Sequence, residues 1–328
     1  MIRLSVQQDI TTKYLDFLYK LPETKQQHFL SRLYKITGEK SYLTGIQEDA
    51  YTLFSQKLAS FSESGTLDID MNHRFNIKAK IPRQRVRNEY IHNHKEVFGP
   101  IFVYLDVLMA FNVIHRYHME DSLDPSLYSH IQTFLDEGFS KHFELFLSSP
   151  EYVLNTPVQV INILYWYYHL PSNKLKGDEE ERLEKYIINS YQSSNLNQEI
   201  LFLNYLYTLT HVIIGKSWFY EYKVDLSESN WIYSFFTKNK DTIFQTKEPD
   251  IIAEIGVCYC LQKTQSVKII ESYQSEIIQY FNENQLYIPT GSFDIGSDED
   301  LILGEHRNIL AIMLLSGMKN LYPFPTKD

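Results

Sequence analysis

Five segments of this chain, near 101–118, 157–169, 199–214, 250–262 and 301–317, are apolar nearly all round at helical spacing. Between them lie segments with one charged face, near 127–146, 178–192, 229–244 and 266–284, as in Gly177-Asp-Glu-Glu-Glu-Arg-Leu-Glu-Lys. A helix with no polar side must be covered on every side, whereas a helix with one charged face sits between core and water. Strict alternation of the two kinds, at a roughly constant period, predicts an inner ring of buried helices sheathed by an outer ring. That is an all-α fold, an α/α toroid. An open superhelical array of helix pairs has the same period and is the main rival.

Helix starts are legible because Pro favours the first helical position and Asp, Ser, Thr or Asn the one before it. Asp124-Pro125, Ser149-Pro150 and Thr156-Pro157 fit this rule, as do Glu248-Pro249 and Gly99-Pro100, and Asn197, Ser227 and Ser266 read as caps without Pro. The first part of the chain is less regular, with helices expected near 7–20, 24–36 and 45–62 and an extended or looped stretch over 66–81. With 328 residues, 44% of them hydrophobic, and no internal stretch that reads as a linker, one large helical domain over 1–328 is expected. Within it, 1–98 is irregular and 99–328 carries the repeating pairs. Only 12 Gly and 11 Pro argue against a β fold rich in tight turns, so no sheet is expected beyond short hairpins near 66–81 or 286–298.

A net charge of −10 opposes binding of nucleic acid by the whole surface, because phosphate binding needs a positive field. One stretch dissents: Arg74, Lys78, Lys80, Arg83, Arg85 and Arg87 lie near His92 and His94, either a solvated helix face or an anion-binding patch. The start lacks a basic region followed by a long apolar core, so a cytoplasmic home is expected. The apolar runs Tyr152–Leu170 and Ile200–Ile214 are broken by Asn155, Gln159, Asn162, Asn204, Thr208 and His211, and read as core helices, not membrane spans. Cys258 and Cys260 point apart on a helix and are not expected to pair.

Three of the apolar helices carry polar groups that packing alone does not want, recurring about every 48 residues: His211, then Glu254 and Cys258, then Glu305 and His306. A buried ionisable group usually pairs, binds metal or does chemistry. Glu254 and Cys258 share a helical face. If the helices are neighbours in a ring, these side chains meet in one pocket. Three readings stay open. In the first, His211, Cys258 and His306 hold zinc and leave a fourth position open. In the second, Glu254 or Glu305 exchanges protons with a histidine and no metal is needed. In the third, the set is a polar network tying helices together. Trp218, Tyr220 and Tyr165 are candidate walls of the pocket, suited to a flat or apolar ligand. Leu286–Asp300 is a long loop bringing Asp294, Asp298, Glu299 and Asp300 to the helix of Glu305 and His306, either lining a site or complementing the helix dipole. No dinucleotide fingerprint, phosphate loop or nucleophile-elbow motif is present.

The strings Leu209-Thr-His211-Val-Ile, Asp250-Ile-Ile-Ala-Glu254-Ile-Gly-Val-Cys258 and Glu305-His306-Arg-Asn-Ile-Leu resemble those of uncharacterised bacterial proteins associated with an α/α toroid. In broader outline the fold resembles prenyltransferase β-subunits, lanthionine cyclases and terpenoid cyclases, the first two of which hold zinc inside the ring. The cyclase Cys-Cys-His element and the acidic motifs of terpenoid cyclases are missing. The resemblance implies a toroid enzyme acting on a small molecule or modified peptide held in a central cavity. The alternative is a noncatalytic helical protein that binds a protein or anionic partner through its surface or the Arg83–His94 segment.

Overall fold

The computed structural model describes residues 2–43, 51–60 except 53, 82–168 except 120, 122 and 148, residues 186 and 189, and 199–324 except 226 and 228. The whole 66–81 stretch, with Arg74, Lys78 and Lys80, falls outside them, as does the expected outer helix over 178–192 apart from residues 186 and 189. The chain is all-helical. Among the described residues the only β pairing is two isolated bridges, Val224 with Gln262 and Asn282 with Tyr287, so the hairpin expected near 286–298 reduces to a single bridge at its start.

Thirteen helices are labelled here. They are α1 (Ile2–Phe17), α2 (Glu23–Thr37), α3 (Pro82–Asn93), α4 (Lys95–Arg116), α5 (Pro125–Leu147), α6 (Pro150–Asn155) and α7 (Pro157–Tyr168). Then follow α8 (Glu199–Lys216), α9 (Asn230–Lys238), α10 (Lys240–Gln245), α11 (Pro249–Cys260), α12 (Val267–Ile278) and α13 (Asp298–Ser316). Proline sits at the first turn of α5, α6, α7 and α11 as expected. At α5 the Asp124 carboxylate also accepts the backbone N–H of Ser126 at 2.7 Å, satisfying one donor of the first turn. Pro100 departs from the expectation: α4 starts at Lys95 and runs through it. The missing N–H affects only the carbonyl of Glu96, an exposed residue in the first turn. The helix expected over 229–244 is broken at Asn239, whose side-chain amide donates to the Phe235 carbonyl at 2.8 Å in competition with the helical ladder.

The chain divides into two compact units. One joins Met1–Ile46 to Lys216–Phe324; the other comprises Gln47–Gly215 and Pro325–Asp328. In the second unit, α4 is long and apolar enough to cross a membrane, but 67% of its apolar window is buried, with Phe102, Val107 and Leu108 fully covered. In the same unit α7 and α8 meet along one direction: Asn162 faces His211, and three residues on in α7 the Tyr165 ring fills the space a Cβ on Gly215 would take.

The first unit repeats that arrangement. Asp250 of α11 faces His306 of α13, and further along Gly256 faces Leu314, so α11 and α13 also run parallel. A Cβ on Gly256 would lie 2.7 Å from the Leu314 methyls, so the glycine sets how closely the two helices approach. Between them α12 returns in the opposite direction, its Gln274 amide donating to the Leu314 carbonyl at 2.8 Å. The loop before α13 is clamped by buried polar groups. Asn308 Oδ1 accepts the Ile288 N–H at 2.8 Å, while its amide donates to the carbonyls of Ile288 and Gly304 and to the Tyr14 hydroxyl. Asp300 accepts from the Thr290 backbone N–H at 2.9 Å and from the hydroxyls of Tyr287 and Thr290. Of the acidic run at the end of this loop, Asp300, in the first turn of α13, is thus a structural clasp.

Candidate functional site

The parallel packing of α11 and α13 brings three ligand-type side chains together. Asp250 and Glu254 are one turn apart on α11, and His306 opposes them from α13. One ligand atom from each lies within 4.8 Å of those of the other two. His306 Nδ1 is 2.8 Å from Asp250 Oδ1, which fixes the ring and leaves Nε2 for another partner. The cluster has a buried floor and an open side: Glu254 is 1% exposed, whereas the His306 side chain keeps 40% of its surface in contact with solvent.

A second histidine–carboxylate pair adjoins the first. His28 Nδ1 is 2.7 Å from Glu305 Oε1, and the rings of His28 and His306 are 5.5 Å apart. His28 belongs to α2, where Lys25, His28 and Arg32 follow one another at three and four residues and so form one stripe. Lys25 Nζ reaches Glu305 at 3.6 Å.

Charge divides the two histidines. Partial desolvation opposes the charged form of the half-covered His306 ring, but Asp250, Glu254 and Glu305 outweigh it and raise the pKa to about 8. For His28, burial and then the charge of Arg32 hold the pKa down to about 4, against the pull of Glu305. Burial also works against ionisation of Glu305, yet His28, Lys25 and His306 bring it down to about 2. At neutral pH the second pair is therefore a neutral imidazole donating its Nδ1–H to a carboxylate whose charge Lys25 and His306 balance.

Tyr220 completes the group. Trp218, Phe219 and Tyr220 have φ of 55°, 53° and 74°, three consecutive non-glycine residues in the left-handed region. Such a run costs energy at each residue and turns the chain sharply after α8. The turn buries Phe219 and Tyr220 and leaves Trp218 46% exposed. Burial raises the Tyr220 hydroxyl above its ordinary range, and the charges of Arg32, Glu254 and Asp250 act on it.

The expected site residues divide accordingly. Glu254, Glu305, His306 and Tyr220 gather in the first unit. Cys258 is fully buried one turn beyond Glu254, and burial together with that carboxylate pushes its thiol well up; it is not one of the three converging ligands. Trp218 packs edge-on to Tyr222, with ring centroids 6.1 Å apart. His211 and Tyr165 belong to the second unit, where His211 Nδ1 is 2.8 Å from Asn162 Oδ1 and Tyr165 packs against Gly215. Asp250, His28, Lys25 and Arg32 were not expected. Asp250 reads as a first-turn acid complementing the α11 dipole, but its four-residue spacing to Glu254 was available as a signal. The α2 stripe of Lys25, His28 and Arg32 lies in a part of the chain without the repeat pattern that marks the later helices. In the Arg83–His94 segment, His94 Nδ1 lies 2.9 Å from the Tyr90 carbonyl, and its ring packs on Tyr90 and Tyr152.

Fold and site together define an all-α protein with a histidine–carboxylate cluster. The chain belongs to a family described as a domain of unknown function, DUF3541, whose model matches residues 4–327. No curated protein and no solved structure matches it.

Proposed function

We propose that the protein is an enzyme whose catalytic centre is a divalent metal, zinc in the simplest case, held by Asp250, Glu254 and His306. The observation that carries this reading is the convergence of three ligand atoms within 4.8 Å above a buried carboxylate and beside a solvent-open histidine. Three protein ligands leave a position for water or substrate, and imidazole with carboxylates suits zinc and its neighbours. The His28–Glu305 pair stands beside the metal position as a proton acceptor, its ring already oriented through Nδ1. The substrate class is a small molecule or modified peptide. The proposal includes the α/α toroid expected from helix alternation, which an experimental structure of the full chain tests.

Metal analysis of full-length protein purified without added metal tests the site. One equivalent of zinc, lost in Glu254→Gln and in His306→Ala but retained in Cys258→Ala, supports this ligand set. Loss in His211→Ala would enlarge it. A second reading rests on the two histidine rings held 5.5 Å apart by separate carboxylates: a metal-free acid–base pair. Absence of metal from active protein would select it.

A further inference from the structure

We infer that Arg32, seated on the Tyr220 ring, is an oxyanion-binding subsite that recognises a carboxylate or phosphate group of the substrate. The inference deepens the metal-enzyme reading, on which its assignment to a substrate rests.

Arg32 is half-buried in the α2 stripe with its guanidinium carbon 5.4 Å from the Tyr220 ring centroid. It forms no ion pair among the described residues. Its two hydrogen bonds, to the His28 carbonyl and the Ser31 hydroxyl, both at 3.3 Å, use Nη1 alone. The edge formed by Nε and Nη2 therefore keeps its donors for another acceptor. Two parallel N–H groups on a planar cation match the two oxygens of a carboxylate or phosphate, and a ring beneath the guanidinium holds that plane. The Tyr220 ring is itself fixed by the left-handed turn and by its backbone N–H, which donates to Ser217 Oγ at 3.0 Å.

The neighbouring Lys25 does not compete for this role, because it is engaged with Glu305.

The test is calorimetric titration of chelator-treated full-length protein with inorganic phosphate and, separately, with acetate, so that a metal–phosphate contact cannot imitate the result. Wild-type protein is expected to bind at least one of them at millimolar concentration, and the preferred anion identifies the group. Arg32→Gln should weaken that affinity about 10- to 100-fold, the usual loss of a charge-assisted hydrogen-bonded pair, while zinc affinity and melting temperature stay at wild-type values. Arg32→Lys, which keeps the charge without the fork, should recover only part of the loss and stands in if Arg32→Gln fails to fold. Equal anion affinity in wild type and both variants overturns the inference, as does a wild type that binds neither anion. Arg32-dependent anion binding in a protein that takes no zinc leaves the subsite standing and removes the metal.

Discussion

The imidazole rings of His28 and His306 lie 5.5 Å apart, tilted by 30°, and their surroundings move their pKa values in opposite directions, His28 down and His306 up. Each is held through Nδ1 by its own carboxylate, so the difference comes from what else surrounds it. His306 faces three carboxylates; His28 has one and the Arg32 cation. In the proposed acid–base reading, this difference divides the proton donor from the acceptor.

For metal-free protein this fixes a pH profile of stability. The raised pKa of His306 contributes stability that is fully present below about 6.5, its unfolded value, and is lost as pH rises through about 8. The lowered pKa of His28 contributes stability present above about 6.5 and lost as pH falls through about 4. Melting curves across this range should show an alkaline limb flattened by His306→Gln and an acid limb flattened by His28→Gln. Identical limbs in both variants would contradict the assignment.

Asp250 should act on metal as a ligand, its contact with His306 Nδ1 belonging to the metal-free protein. Asp250→Asn keeps the volume and one acceptor oxygen but loses the charge that binds metal and holds the ring. Zinc affinity measured against a chromophoric chelator is expected to fall about 10- to 100-fold, the usual cost of disturbing a ligand's support. Dialysis against chelator should strip the zinc from wild-type protein, and added zinc should be taken up again at one equivalent.

At Gly256 the close approach of α11 and α13 leaves no room for a branched side chain. Gly256→Val is expected to destabilise by about 1–3 kcal/mol through overpacking and, by parting the helices, to lower zinc affinity as well. Chemical denaturation and metal titration of one variant check both effects, and a stability loss without any change in affinity would show that the two helices are not set by this contact.

Asn308 lies outside the cluster and should behave as a structural residue. Asn308→Ala strands the Ile288 N–H and carbonyl in a buried setting, for an expected loss of about 1–3 kcal/mol, with zinc affinity unchanged in protein that remains folded. A variant as stable as wild type would mean that water replaces the amide.

Much of the helical order is legible in the sequence, because each segment between proline-marked starts carries its own periodicity. Asp124-Pro125 and Thr156-Pro157 mark their helices where the structure has them. Pro100 misleads because a first-turn position and an early interior one differ by which carbonyl loses its partner, and an exposed carbonyl tolerates the loss. Glu254, Glu305 and His306 stand out as charges among apolar neighbours. His28 and Arg32 do not: α2 is amphipathic, and a polar residue on such a helix has a solvent explanation ready. What selects them is proximity to α13 across 277 residues of sequence, which no local pattern encodes.

That separation has a consequence for biogenesis. The first unit is discontinuous, with residues 47–215 emerging from the ribosome between its two pieces. The helix bearing His28 and Arg32 is made first, and its partner Glu305 follows only 277 residues later. Closing so long a loop is a late and slow event in folding. The histidine–carboxylate cluster thus cannot assemble until α13 has been made, and a nascent chain released before that point would lack His306 and Glu305.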